Sequence, residues 1–155
     1  MTYREITEKH QEEFNKLPIF FAFGKEQFER ALAERGIKVE EARQHIYRFG
    51  DTGGFYLKKD APQIHAFLAQ DFARELREMM EADLSLAKEA FEYEMANHEY
   101  PINWEGDYDV CSCFGNIVFD EEKTGMDYLE ELGFSKEVIN VYYTARDKIC
   151  KEMDY

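Results

Sequence analysis

The sequence predicts an α+β fold, a mostly helical single domain with a central antiparallel helix hairpin and a small antiparallel sheet of two or three strands. Three observations predict it. Apolar residues recur at helical spacing over 61–80 and again over 83–98. Two short β-prone runs flank the turn-forming residues 50–53. The 155 residues are 45% hydrophobic and contain no linker-like stretch, which favours one packed core.

The N-terminal segment is predicted to contain two helices. Thr2 and Glu5 have the spacing of a capping box, so the first helix is expected to run from there to about Leu17. The second is expected over 25–35, where apolar residues share one face and Gly36 follows as the stop.

The sheet is predicted from three short aromatic segments. Residues 46–49 and 54–57 are β-prone, and the Gly-Asp-Thr-Gly between them favours a tight turn, so they are expected to form a hairpin. The aromatic run 19–23 is the candidate third strand.

The helix hairpin is predicted from two amphipathic segments. The first helix is expected over 61–80, with Asp60 as a candidate N-cap. The second is expected to begin after Asp83 or Ser85 and to end near His98, because a proline follows closely.

After Pro101 the chain is predicted to be irregular as far as residue 120. Thr124 is expected to begin a short helix that Gly133 stops. Ser135 is expected to cap a last helix with an apolar stripe.

The negative charge is concentrated in one stretch. The chain has 19 Lys and Arg against 33 Asp and Glu, a formal net charge of −14. Residues 1–78 contain 13 basic and 14 acidic side chains, a net −1, whereas residues 81–137 contain 3 and 16, a net −13. The domain is therefore expected to comprise a near-neutral scaffold at 1–80, a strongly acidic region at 81–137 and the C-terminal helix at 138–155.

The negative charge, the N-terminal sequence and the cysteine count argue against several cellular environments and classes of partner. Phosphates would be repelled, so direct binding to nucleic acid or to an anionic membrane surface is not expected. The charged N-terminus does not resemble a signal peptide, and no apolar run approaches the roughly 20 residues of a membrane span. Three cysteines without an export signal favour free thiols in a reducing cytoplasm.

The strongest candidate for chemistry lies on the predicted helix pair. Glu94 and His98 are four residues apart on the apolar side of the second helix, and His65 lies on the apolar face of the first. If the hairpin turns near residue 82, these three side chains converge. Two imidazoles and a carboxylate match a zinc or non-haem iron ligand set, or a general acid–base pair. The alternative is a buried Glu–His pair that only satisfies its own polar groups.

Two other motifs are weaker. Cys111 and Cys113 form a C-x-C pair, but their acidic surroundings disfavour the thiolate, so inert thiols are expected. Asp107 and Asp109 offer oxygens to calcium but lack the loop that calcium sites of this kind require. No cofactor is predicted.

The acidic region interleaves carboxylates with aromatic side chains. Carboxylates on an irregular surface can imitate the phosphates of a nucleic acid, and aromatic residues can supply buried anchors at an interface. The alternative is a solvated surface that confers solubility alone. The candidate partner-binding residues are Glu92, Glu99, Trp104, Asp107, Asp109, Asp120, Glu121, Glu122, Asp127, Glu130 and Glu131.

Three segments carry a resemblance to a known family: Phe-Ala-Phe-Gly at 21–24, GGFYLKKDAPQIH at 53–65 and FEYEMANHEY at 91–100. Through them the chain resembles an uncharacterised family of small proteins from Firmicutes and their phages and plasmids, best over residues 1–100. That family has no established activity to carry over. The resemblance implies a mobile-element context, in which small acidic proteins often inhibit host defence enzymes.

We therefore expect a non-enzymatic, cytoplasmic interaction module that inhibits a nucleic-acid-binding host defence enzyme, of anti-CRISPR or anti-restriction type. Its partner would be a basic protein surface, for example on a CRISPR effector or a restriction enzyme, blocked by nucleic-acid mimicry or by steric hindrance. The alternative is a small metal- or acid/base-dependent enzyme that uses His65, Glu94 and His98.

Overall fold

The computed structural model describes residues 1–152, and the chain divides into two compact units. One comprises residues 1–8 together with the chain from Asp71 onward, and the other comprises residues 9–70. The predicted α+β, mostly helical fold is confirmed. That the chain forms a single domain stays a prediction.

Helices make up most of the described residues, and three short strands form the sheet. The helices are α1 Tyr3–Asn15, α2 Lys25–Glu34, α3 Ala42–His45, α4 Ala61–Leu68, α5 Phe72–Ala82, α6 Leu84–Asn97, α7 Gly106–Ser112, α8 Gly125–Glu131 and α9 Lys136–Glu152. The strands are β1 Ile19–Phe21, β2 Ile46–Phe49 and β3 Gly54–Leu57. Within residues 1–152, no helix has the length and apolar character needed to cross a membrane.

The 9–70 unit contains the sheet. β3 is the central strand, and β1 and β2 pair with it in antiparallel fashion, with Phe20 opposite Phe55. The turn between β2 and β3 requires Gly53, whose φ of +80° is in the left-handed region that favours glycine. The predicted hairpin and third strand are both confirmed, although β1 ends at Phe21, two residues earlier than predicted.

The core of the other unit is built around Phe91 on α6. Its ring centroid lies 5.1 Å from that of Tyr142 on α9, with the rings edge to face. Phe114 and Phe134 make similar edge-to-face contacts with it at 5.3 and 5.8 Å. This geometry suits the aromatic quadrupole, and it fixes α9 along α6.

The prediction of one helix over 61–80 is wrong, because α4 and α5 are separate helices. Asp71 explains the break. Its side chain accepts a hydrogen bond from the backbone N–H of Arg74 at 3.0 Å and so caps α5. The helix pair of the predicted hairpin therefore consists of α5 and α6, which pack together and are joined by Asp83, the cap of α6.

The segment 101–120 was expected to be irregular, and this is wrong where α7 forms. Tertiary packing stabilises this helix, because Val110 and Cys111 of α7 and Phe114 just after it are fully buried. The acidic sequence of the segment does not by itself predict a helix. The C-terminal helix predicted over 138–155 is observed as α9, and residues 153–155 lie outside the described part of the chain.

Helix capping agrees with the sequence at the starts of α1 and α8, whereas Asp60, the candidate N-cap of α4, makes no side-chain capping hydrogen bond. Thr2 and Glu5 exchange hydrogen bonds through their side chains and backbone N–H groups at the start of α1. Thr124 and Asp127 do the same at the start of α8, which is a complete capping box. Both were predicted from the spacing alone.

Candidate functional site

Side chains from α6 and from the end of α7 bring a carboxylate, an imidazole and a thiol together. Oε2 of Glu94 lies 3.8 Å from Nε2 of His98, one turn further along. The Sγ of Cys113 lies 3.5 Å from the same Nε2. One donor atom from each residue lies within 4.8 Å of the other two. We call this group the Glu–His–Cys cluster.

The local fold explains why these residues meet. His98 ends α6, and Glu99 then adopts a φ of +51°, which turns the chain sharply. Asn103, on the return segment, donates from Nδ2 to the His98 carbonyl at 3.0 Å and to Asp109 Oδ2 at 2.8 Å. These bonds hold the end of α6 next to α7, whose C-cap is Cys113.

Burial sets the chemistry of the cluster. Glu94 is 7% exposed and is the buried charged residue among the described residues. Burial raises the pKa of the Cys113 thiol, and its hydrogen bond to Glu94 raises it further. The thiol is therefore protonated near neutral pH and is a poor nucleophile. The His98 side chain, in contrast, is 32% exposed.

His65, the third residue of the predicted constellation, lies on α4 in the 9–70 unit. Its side chain is exposed, so its assignment to an apolar face is wrong, and its Nε2 lies 3.3 Å from the Tyr56 hydroxyl. One continuous helix over 61–80 would have placed His65 level with His98. Because that helix is broken, the convergence of His65 with Glu94 and His98 stays a prediction without this support.

Asp107 is the centre of a second polar group. Its Oδ1 accepts hydrogen bonds from the hydroxyls of Tyr100 at 2.8 Å and Tyr142 at 2.5 Å. A Cβ at Gly125 would lie 2.9 Å from this carboxylate, so glycine is needed for the close approach of α8. Asp107 therefore has a structural role within its unit.

Other candidate partner-binding residues also have intramolecular partners. Lys148 pairs with Glu92, Asn103 with Asp109, Thr124 with Asp127, and Lys123 with Glu131. The remaining candidates are exposed, although Asp120 also accepts a hydrogen bond from the backbone N–H of Glu122: Glu99, Trp104, Asp120, Glu121, Glu122 and Glu130. Only part of the predicted acidic surface is thus available without breaking an internal bond.

Part of this surface lines a cavity of about 530 Å³ that we call the acidic cleft. Its walls include Trp104, Glu105, Phe119, Asp120 and Glu121. Trp104 is fully exposed, which is unusual for the largest apolar side chain. The cleft therefore combines an unburied indole with several carboxylates.

Two features were missed from the sequence. Cys113 belongs to the cluster because α7 returns beside α6. Such a tertiary contact cannot be predicted from the pattern of neighbouring residues in the sequence. The 9–70 unit also contains a cavity of about 810 Å³ whose lining includes Lys25, Arg43 and Arg48. These cations come from α2, α3 and β2, so their grouping appears only in the folded unit.

The three thiols should differ in reactivity. Burial raises the pKa of the Cys111 thiol to about 12, and the nearby charge of Asp107 raises it as well. At pH 8 we expect a thiol reagent to modify Cys150 in the native protein and to spare Cys111, which is fully buried. Mass spectrometry of native and guanidine-unfolded samples measures this. Native labelling of Cys111 as fast as that of Cys150 would contradict it.

Comparison with known proteins gives one positive finding. The family model described as a family of unknown function, DUF7659, matches residues 2–124. The match extends past the residues 1–100 where the resemblance was expected to be best, and it includes the Glu–His–Cys cluster. Neither curated proteins nor solved structures gave a match. Because the match covers well over half of its residues, the chain belongs to this family of unknown function.

Proposed function

We propose that the chain is an acidic interaction module that occupies the basic, nucleic-acid-binding surface of a partner enzyme. The acidic cleft is its contact surface in this proposal. The single observation that supports it best is the fully exposed Trp104 beside the carboxylates of Asp120 and Glu121. An indole that is fully solvated in the free protein gains from burial in a complex, and carboxylates complement Lys and Arg.

The division of charge between the two units supports the same proposal. The unit formed by residues 1–8 and 71–155 has 9 basic and 24 acidic side chains, a net charge of −15. The 9–70 unit has 10 and 9, a net charge of +1. A field this one-sided accelerates encounter with a cationic surface and orients the acidic unit toward it.

The partner we propose is a CRISPR effector or a restriction enzyme, and the mechanism is competition with its nucleic acid. Such enzymes expose Lys- and Arg-rich grooves that bind phosphates. The resemblance of residues 1–100 to proteins of Firmicutes and their phages and plasmids supports this choice, because an inhibitor of host defence benefits a mobile element. The site of action would be the cytoplasm.

The test is displacement of DNA from purified enzymes. Fluorescence anisotropy of a labelled duplex would be measured with a panel of CRISPR effectors and restriction enzymes, at low and at high salt. We expect this protein to lower DNA binding by at least one enzyme, and to do so less as salt rises, because exposed charges are screened. Trp104→Ala should weaken this inhibition about 30-fold, which corresponds to a hot spot of about 2 kcal/mol.

Charge-reversal variants supply the matched comparison. Glu121→Lys with Glu122→Lys should weaken inhibition, whereas Glu12→Lys with Glu13→Lys changes the net charge equally in the other unit and should not. Asp120 is left unchanged because its Oδ1 accepts a hydrogen bond from the backbone N–H of Glu122 at 2.9 Å. Equal effects of the two double variants, salt-independent inhibition, or no displacement across the panel would count against the proposal.

A further inference from the structure

We propose that the Glu–His–Cys cluster binds one Zn²⁺ ion, with Glu94, His98 and Cys113 as ligands and a fourth position open to solvent. None of the three ligands lines the acidic cleft, and the site requires no partner enzyme. It also differs from the ligand set expected from the sequence, in which His65 took the place of Cys113.

The two separations from His98 approach those of a tetrahedral ion, and all three donor atoms lie within 4.8 Å of one another. Zn–N distances of about 2.0–2.1 Å and a Zn–S distance of about 2.3 Å place tetrahedral N and S ligands about 3.6 Å apart, and N and O ligands about 3.3–3.5 Å apart. Nε2 of His98 is 3.5 Å from Sγ of Cys113 and 3.8 Å from Oε2 of Glu94. Rotation of the Glu94 and Cys113 side chains about their torsions would bring all three donor atoms to the separations of a tetrahedral ion.

The donor types select the metal. Imidazole nitrogen and thiolate sulfur favour Zn²⁺, whereas Mg²⁺ and Ca²⁺ prefer sites made entirely of oxygen ligands. The partial exposure of His98, at 32%, provides a path for the ion and leaves room for water in the fourth position. Three protein ligands and one water is the coordination that open zinc sites adopt.

The surroundings favour a cation and hold the ligands in place. Glu94 is almost fully buried, and a bound cation would offset its charge where water cannot. Asn103 fixes the carbonyl of His98 and the carboxylate of Asp109, so the ends of α6 and α7 are joined before any metal arrives. The backbone positions of His98 and Cys113 are thereby brought close together without a metal ion.

The test uses Co²⁺ as a spectroscopic substitute for Zn²⁺ in protein prepared without a His tag and freed of metal with a chelator. We expect 1:1 saturation, intense visible bands typical of tetrahedral cobalt, and a near-ultraviolet thiolate-to-cobalt band, all removed by added Zn²⁺ but not by Mg²⁺. Cys113→Ser should abolish the thiolate band. His98→Gln should weaken Zn²⁺ binding at least 10-fold, since even loss of outer contacts has this effect.

Two matched variants control for general effects. Cys150→Ser removes another half-buried thiol outside the cluster, and His65→Gln removes the imidazole that the sequence had suggested as a ligand. Both should retain wild-type cobalt spectra and Zn²⁺ affinity. Circular dichroism would establish that each variant is folded.

Three results would overturn the proposal: no saturable 1:1 binding to the wild-type protein, a thiolate band that persists in Cys113→Ser, or a loss of affinity in His65→Gln equal to that in His98→Gln. A measurement on unmodified protein removes dependence on variant folding, because Zn²⁺ should raise the melting temperature and Mg²⁺ should not. None of these readouts involves DNA displacement, so this proposal and the proposed function succeed or fail separately.

Discussion

Replacing Phe91 with alanine is expected to lower the free energy of unfolding by about 3–5 kcal/mol. Phe91 is fully buried on α6 and makes edge-to-face contacts with three other aromatic rings. The substitution removes the transfer free energy of the ring, leaves a cavity and abolishes all three contacts. Few single substitutions exceed this size.

Thermal unfolding followed by circular dichroism measures the effect of Phe91→Ala. A domain of this size loses roughly 2–4 °C of melting temperature per kcal/mol, so we expect a decrease of about 6–20 °C. Phe23→Ala is the control, because Phe23 is 75% exposed and its removal should change the melting temperature by only about 1–2 °C. Equal shifts for the two variants would show that Phe91 is not at the centre of a packed core.

Asp107→Ala is expected to destabilise the protein by about 2–5 kcal/mol, because two partly or fully buried hydroxyls lose their acceptor at once. One is that of Tyr142, which is 0% exposed and has no access to water. The single variant Tyr142→Phe removes a donor and leaves the acceptor in place. It should cost only about 1 kcal/mol, because Asp107 keeps its hydrogen bond from Tyr100 and no polar group is left unpaired. Chemical denaturation of both single variants and of the double variant measures this, and strictly additive effects would contradict it.

Tyr142 also makes the free energy of unfolding depend on pH in the alkaline range. Burial raises the pKa of its hydroxyl above the usual range, and Cys111 and Asp107 raise it further. A tyrosine in the unfolded chain ionises near pH 10, so the unfolded state gains from ionisation before the native state does. The contribution of Tyr142 to the free energy of unfolding is therefore complete below about pH 10, and it decreases as the pH rises above that value. Tyr142→Phe should make this decline less steep.

Local signals in the sequence predicted the local structure correctly. The capping boxes at Thr2 and Thr124 and the glycine-rich turn between β2 and β3 depend on residues a few positions apart, and all three form as expected. The same holds for Glu94 and His98, which lie on one side of α6 because helical periodicity places them there. These features required no knowledge of tertiary packing.

The errors arose where two local signals compete or where distant segments meet. Residues 61–80 have a continuous apolar stripe, but Asp71 is also a strong N-cap, and its hydrogen bond to Arg74 prevails. Cys113 reaches His98 only because α7 returns beside α6 after Asn103 makes its bridging hydrogen bonds. Helical periodicity contains no information about either outcome.

The packing of α9 on α6 has a consequence for where the chain can be shortened. The match to the family model ends at residue 124, yet Phe91 is covered by Tyr142 and Phe134, which both lie beyond it. A chain cut after Thr124 would lack both rings and would expose Phe91 to water. Such a chain is therefore expected to lose stability unless another helix or a second subunit covers Phe91. Because the same segment contains the exposed Glu130, a truncation that removes this part of the acidic surface would also open the core around Phe91.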